Sequence, residues 1–186
     1  MTEHRTSWVR RCRVGGLDLF AKTYVYPDRR DRLRGVLRTT FLAPGRAVCE
    51  SRALRWLLEH GIDAPRPLGV AEHRRGGWLR ASLLVTEAWP GVALDAFLAP
   101  LGPDDRRRVL AAVWGFVATL HGLGFVDRNL DPRSLLVSGD GSGAFRVTKI
   151  DSPRARVLRP GRRYDRLVAA DRERLTSGLA KLPGRS

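Results

Sequence analysis

The chain has 186 residues, enough for one domain or one domain with a tail. With 43% apolar and 28% charged residues it can bury a core, which excludes a wholly disordered polypeptide. Lys and Arg total 34 against 19 Asp and Glu, and the net charge of +15 favours polyanionic partners: nucleic acid, an acidic membrane or a phosphorylated glycolipid.

Only Lys22, Lys149 and Lys181 are lysines; a bias to Arg on this scale is the mark of a GC-rich genome. Residues 1–13, MTEHRTSWVRRCR, lack the apolar run of a signal peptide and read as an N-terminal segment. Cys12 and Cys49 stand far apart, with no metal spacing and no disulfide framework, which fits a reducing, cytoplasmic compartment. Residues 8–26 read as a hairpin around Gly15-Gly16, with Phe20, Lys22 and Tyr24 on one face of its second strand. Residues 28–38 hold five Arg and two Asp and read as a solvated loop or short surface helix.

Residues 44–60 read as a helix, with Pro44 in its first turn and Gly61 past its end. Ala47, Leu54, Leu57 and Leu58 form its apolar positions, and Glu50 falls on the same inward face. A second hairpin, 68–72 with 79–88, turns at residues 74–77. Leu94–Leu98 is a short helical turn. Pro103-Asp104-Asp105 then opens a long helix to about Leu123, its acidic start matched to the helix dipole. Residues 109–126 carry no full charge over 18 positions, near the minimum for a membrane span. Gly122 and Gly124 end the run early, so it reads as a buried core helix with no transmembrane span. His121, at its end, reads as a packing residue. A loop (125–133), a strand (135–137), a Gly/Ser turn (138–143) and a strand (145–150) follow. The order of elements predicts an α+β fold, a small antiparallel sheet lobe with one helix before a reduced helical lobe.

Two constellations carry chemistry. A mid-strand Lys22 pointing inward needs a counter-ion or a phosphate, and an inward Glu50 needs a cation. They are either two unrelated charges or one ion pair placed to hold nucleotide phosphates. The second is Asp127-Arg128-Asn129-Leu130-Asp131-Pro132-Arg133-Ser134, followed by Lys149-Ile150-Asp151. A polar loop between a buried helix and a buried strand, then a strand-ending Asp, is how eukaryotic-like kinases place a base and a metal ligand.

With these stretches the chain resembles the lipopolysaccharide kinases of the Kdo/WaaP family, small relatives of the protein kinase fold. Phe20-Ala21-Lys22-Thr23-Tyr24 matches the strand lysine and Cys49-Glu50-Ser51-Arg52 the helix glutamate. His60 to Pro67 matches the turn into the next strand, and Leu120-His121-Gly122-Leu123-Gly124-Phe125 the approach to the catalytic loop. The resemblance implies a minimal two-lobed, protein-kinase-like fold over 14–157, with the N-lobe to about 89 and a basic C-terminal tail over 158–186. It implies ATP and Mg²⁺ as cofactors, Lys22 and Glu50 at the ATP phosphates, and Asp151 and Ser134 at the metal. An anionic glycolipid is the implied acceptor, with peripheral contact at the inner face of the cytoplasmic membrane.

The loop departs from the family pattern His-x-Asp-Leu-x-x-x-Asn. Aligned on Leu130, the base position carries Asn129, the metal-binding Asn position carries Ser134, and the His position carries Asp127. An amide cannot accept the acceptor's hydroxyl proton as a carboxylate does. Two expectations follow: Asp127 acts as a substitute base two residues away, or the protein is a pseudokinase, a nucleotide-binding or scaffold module. A basic nucleic-acid binder is a third, for which the chain has the charge but no reader motif.

Overall fold

The computed structural model describes residues 3–4, 7–26, 41–139 and 144–182. The Arg-rich stretch 28–38 and most of the Gly/Ser turn at 138–143 lie outside them. Two compact units result, Met1–Gly61 with Pro65–Trp89, and Ile62–Ala64 with Pro90–Ser186.

The first unit is an antiparallel sheet of β1 (Glu3–His4), β2 (Ser7–Val14), β3 (Leu17–Val25), β4 (Pro67–Arg75) and β5 (Trp78–Glu87), in the order β1-β2-β3-β5-β4. Both hairpins close on Gly-Gly. Gly15, Gly16, Gly76 and Gly77 all have positive φ, which two-residue turns matched to strand twist require. Gly15-Gly16 is therefore a tight turn. Along β5 the buried set is Leu79, Ser82, Leu84 and Thr86. The phase changes because Arg80 is an extra residue: His73 pairs with Ala81 and Arg74 with Leu79.

Helix α1 (Arg46–Glu59) packs on this sheet through Ala47, Glu50, Ala53, Leu54 and Leu57. It starts after Gly45, two residues later than the Pro44 start expected, because Gly45 is still extended at the N-cap. Leu58, expected on the apolar face, is exposed; 3.6 residues per turn carry it past the stripe set by Leu54 and Leu57.

The second unit holds β6 (Val92–Ala93), α2 (Leu94–Leu98), α3 (Pro103–Gly122), β7 (Phe125–Val126), β8 (Leu135–Gly139), β9 (Phe145–Lys149), β10 (Arg156–Val157) and α4 (Arg162–Ala180). Strands β6-β8-β9 make one small antiparallel sheet, and β7 pairs with β10. The core gathers Leu94 and Leu98 of α2, Val109, Val113 and Val117 of α3, Leu130, Leu135, Val137 and Leu175. Helix α3 buries one stripe and exposes Ala111, Gly115 and Ala118 on the other face. Among the described residues no helix is long and apolar enough to cross a membrane.

The largest departure from expectation is residues 158–186. The stretch read as a basic tail is mostly a helix, α4, and its Leu175 is fully buried in the core of the second unit. Its many arginines hid two inward positions, Asp171 and Leu175, spaced one turn apart. Residues 1–13 differ too, since β1 and most of β2 lie there and pair within the main sheet.

Candidate active site

In the first unit, Lys22 is mid-strand in β3 and Glu50 lies one turn into α1. The Lys22 Nζ donates to Glu50 Oε1 at 2.5 Å. Glu50 is 0% exposed, so its charge needs close partners. The second comes from Tyr24, two residues along β3 on the same face, whose hydroxyl donates to Glu50 Oε2 at 2.9 Å. Of the two readings of Lys22 and Glu50, the ion pair is the one that forms. Lys22 keeps partial solvent access, with its side chain 14% exposed, so its ammonium can meet a ligand while Glu50 fixes its direction.

In the second unit, the loop after β7 is held from several sides. Asp171 of α4 accepts the backbone N–H groups of Asp127 (2.9 Å) and Arg128 (2.8 Å) on its two carboxylate oxygens. Arg128 adopts a left-handed backbone, φ 62°, which costs a non-glycine residue about 1–2 kcal/mol. The Asp171 hydrogen bond is one of the contacts that hold it there. His121, at the end of α3, places Nε2 3.6 Å from Asp171 Oδ2 and is buried, a packing role as expected.

Asp127 is 2% exposed and Lys149, in β9, is 0% exposed. The Lys149 Nζ lies 3.0 Å from Asp127 Oδ2, which also accepts the Asn129 backbone N–H at 3.2 Å. Burial raises the Asp127 pKa above its ordinary value; the Lys149 ammonium and the Ser152 hydroxyl pull against that rise, and Asp171 adds to it. The Asp127 carboxylate is thus buried, with Oδ2 shared between Lys149 and the loop backbone and Oδ1 left without a hydrogen-bond partner among the described residues.

Asn129 turns its Nδ2 toward Asp151, 3.5 Å from both the carboxylate Oδ2 and the backbone oxygen. These are long, weak contacts, and both residues are half-buried. Asp151 follows β9 in a left-handed conformation, φ 58°. Ser134 is brought near but is otherwise employed. Its hydroxyl donates to the backbone oxygen of Asp131 at 2.7 Å, lies 3.2 Å from that of Asn129, and accepts the Asp131 N–H at 3.1 Å. It closes the capping box of the short 3₁₀ turn Pro132–Ser134. The sequence reading singled out Lys22, Glu50, Asp127, Asn129, Ser134 and Asp151; it missed Tyr24 as a Glu50 partner, Lys149 as an Asp127 partner, and Asp171. Lys149 carried a signal, being one of only three lysines in the chain. Asp171 carried none, being one acid in an Arg-rich stretch.

Solved structures of similar fold place the chain in a known architecture. A structure of WaaP in complex with acyl carrier protein superposes with a TM-score of 0.68 at 22% identity, covering 100% of this chain and 72% of that one. The Rio2 kinase–ADP/Mg²⁺–phosphoaspartate complex from Chaetomium thermophilum gives 0.64 at 16% identity, covering 99% of this chain and 57% of that one. The fold is protein-kinase-like. The sequence signature of the lipopolysaccharide kinase (Kdo/WaaP) family matches residues 4–175, and the chain belongs to that family. It is also similar to the serine/threonine-protein kinase PknL of Mycobacterium tuberculosis, 33% identical over 105 residues, 55% of this chain and 23% of that relative. The chain thus spans under a quarter of the length of that curated relative.

Proposed function

We propose that this protein binds Mg–ATP and transfers its γ-phosphoryl group slowly or not at all, acting as a catalytically impaired member of the lipopolysaccharide kinase family. The observation that carries the reading is the Asn129 environment. By the family resemblance the amide would stand at the base position, and Asp127, the substitute raised from the sequence, is buried beside Lys149.

Within the first unit, Lys22 oriented by Glu50 and Tyr24 would meet the phosphates. Within the second, Asp151 would supply a carboxylate for Mg²⁺, with the Asn129 side chain beside it. Among the described residues no group of three or more His, Cys, Asp or Glu could hold a metal alone. That suits Mg²⁺, which commonly takes one or two carboxylates plus substrate phosphates. Bound there, the ion would neutralise phosphate charge. Ser134 would support the loop through its cap and adds little as a ligand, because its hydroxyl is already bonded within the turn.

The acceptor would be a sugar hydroxyl on the lipopolysaccharide core, reached at the inner face of the cytoplasmic membrane. Positioning and charge neutralisation carry most of phosphoryl-transfer catalysis, so some residual transfer is compatible with Asn129. Calorimetric titration with ATP in excess Mg²⁺ tests the binding half. Wild type should bind with Mg²⁺ and lose affinity with EDTA, and Lys22→Met should bind at least about tenfold more weakly, the loss of one well-placed ion pair. Equal binding by Lys22→Met, or none by wild type, would refute the nucleotide site.

A further inference from the structure

Residues 154–163, Arg-Ala-Arg-Val-Leu-Arg-Pro-Gly-Arg-Arg, hold five arginines and no acid. Arg154, Arg156, Arg159, Arg162 and Arg163 are all exposed, and none makes an ion pair among the described residues. Elsewhere in the same unit Arg107, Arg108, Arg133 and Arg146 each face a carboxylate, while the exposed Arg166, Arg172 and Arg174 of α4 also stand outside any ion pair among the described residues. A coding bias toward Arg explains the frequency of the residue; what sets 154–163 apart is five exposed arginines in ten positions with no acid among them. Arg162 and Arg163 also stand in the first turn of α4, where the helix dipole disfavours cations and Asp165 is the lone acid. Fold stability is not what this arrangement serves.

The segment is fixed in place beside the loop of Asn129. Arg156 pairs with Val126 and Val157 with Phe125, and the Leu158 N–H donates to Gly124 O at 2.9 Å. Gly124 has φ 81°, and a Cβ there would collide with the Leu158 carbonyl oxygen, so the two stretches sit in close register. Paired Cα atoms lie about 5 Å apart. Three extended residues from Val126 to Asn129 span at most about 11 Å. The Arg156 backbone is therefore within about 16 Å of Asn129, the span of a short saccharide plus an arginine side chain.

We infer that Arg154, Arg156, Arg159, Arg162 and Arg163 form an acceptor-recognition surface, for a saccharide that already carries phosphate groups before it reaches the site. Guanidinium groups grip phosphate oxygens in pairs, which gives orientation as well as attraction. The surface selects acceptors by phosphates flanking the hydroxyl, and it works without nucleotide. The inference rests on the kinase reading for the word acceptor and stands apart from it for binding.

The test uses the full chain and Arg154→Gln/Arg156→Gln/Arg159→Gln, all exposed loop and strand positions whose loss leaves folding intact, checked by thermal unfolding. The probe is delipidated lipopolysaccharide core oligosaccharide, before and after dephosphorylation, followed by calorimetry at low and high salt. Wild type should bind the phosphorylated oligosaccharide, and bind the dephosphorylated one at least about tenfold more weakly, with the affinity falling as salt rises. The triple variant should lose a similar factor while its Mg–ATP affinity stays unchanged. Equal binding by wild type and variant, or indifference to dephosphorylation, would overturn the inference. So would preference for phosphatidylglycerol vesicles free of glycolipid, which would make the surface a membrane contact, or for a single-stranded RNA 20-mer. Failure to bind ATP alongside normal oligosaccharide binding would defeat the kinase reading and leave this surface standing; the reverse pattern would do the opposite.

Discussion

Asp127 and Lys149 form a buried ion pair at the start of the loop. A buried carboxylate opposite a buried ammonium is stable as a pair and costly when one partner goes. Lys149→Met should destabilise the protein by about 3–5 kcal/mol, read by denaturant unfolding. The pH dependence follows from the raised Asp127 pKa. A carboxyl whose folded pKa exceeds its unfolded value favours folding most below the unfolded value, and that contribution is lost as pH rises through the folded value. Without Lys149 the rise is larger, so the Lys149→Met defect should be smaller at pH 4 than at pH 8. Asp127→Asn/Lys149→Met should recover much of the loss. A defect independent of pH would show that Asp127 does not carry it. Tyr24 is a second case. Its hydroxyl bonds a Glu50 oxygen that water does not reach. Tyr24→Phe should cost about 1–2 kcal/mol of stability and weaken Mg–ATP binding several-fold, whereas an unchanged ATP affinity would assign Tyr24 to packing alone.

Between elements, the long helices decide whether the loop is held. Helix α4 contributes Asp171 to the loop backbone and Leu175 to the core, and at Gly178 it passes so close to Pro132 that a Cβ would meet the proline ring. Leu175→Ala should lower stability by about 2–5 kcal/mol, as a fully buried leucine does. A change under about 0.5 kcal/mol in thermal or denaturant unfolding would return α4 to the status of a surface appendage. The sequence made most elements legible. The Gly-Gly hairpins, the helix with Glu50 inward and the acid-started α3 each carry local signals of turn chemistry, periodicity and capping. What stayed hidden depended on tertiary pairing. The Arg80 bulge appears only when β4 and β5 are matched, and α4 looked like a tail because two inward residues in a charged stretch make a weak pattern. The site was legible to the same limit. Patterning marked Lys22 and Glu50, and the family resemblance marked Asn129 and Asp151, but neither could reveal that Asp127 lies buried beside Lys149 or that the Ser134 hydroxyl closes a capping box.

At the scale of the whole molecule, a +15 chain with a kinase-like fold pairs Lys22 with Glu50 and sets Asn129 beside Asp151; in the proposed function the first pair serves phosphate and Asn129 stands at the position of the missing base. General-base loss costs about 10²–10⁴ in rate, which leaves binding intact. Asn129→Asp would set two carboxylates near 3.5 Å apart, a repulsive arrangement until a divalent cation joins them, so any gain must depend on Mg²⁺. The most direct measurement is phosphoryl transfer from radiolabelled ATP to lipopolysaccharide core oligosaccharide, wild type against Asn129→Asp, in Mg²⁺. The expected result is slow or undetectable transfer by wild type and a Mg²⁺-dependent gain of about 10²-fold or more in the variant. Wild-type turnover in the ordinary kinase range of about 1–100 s⁻¹, with no gain from Asn129→Asp, would contradict it.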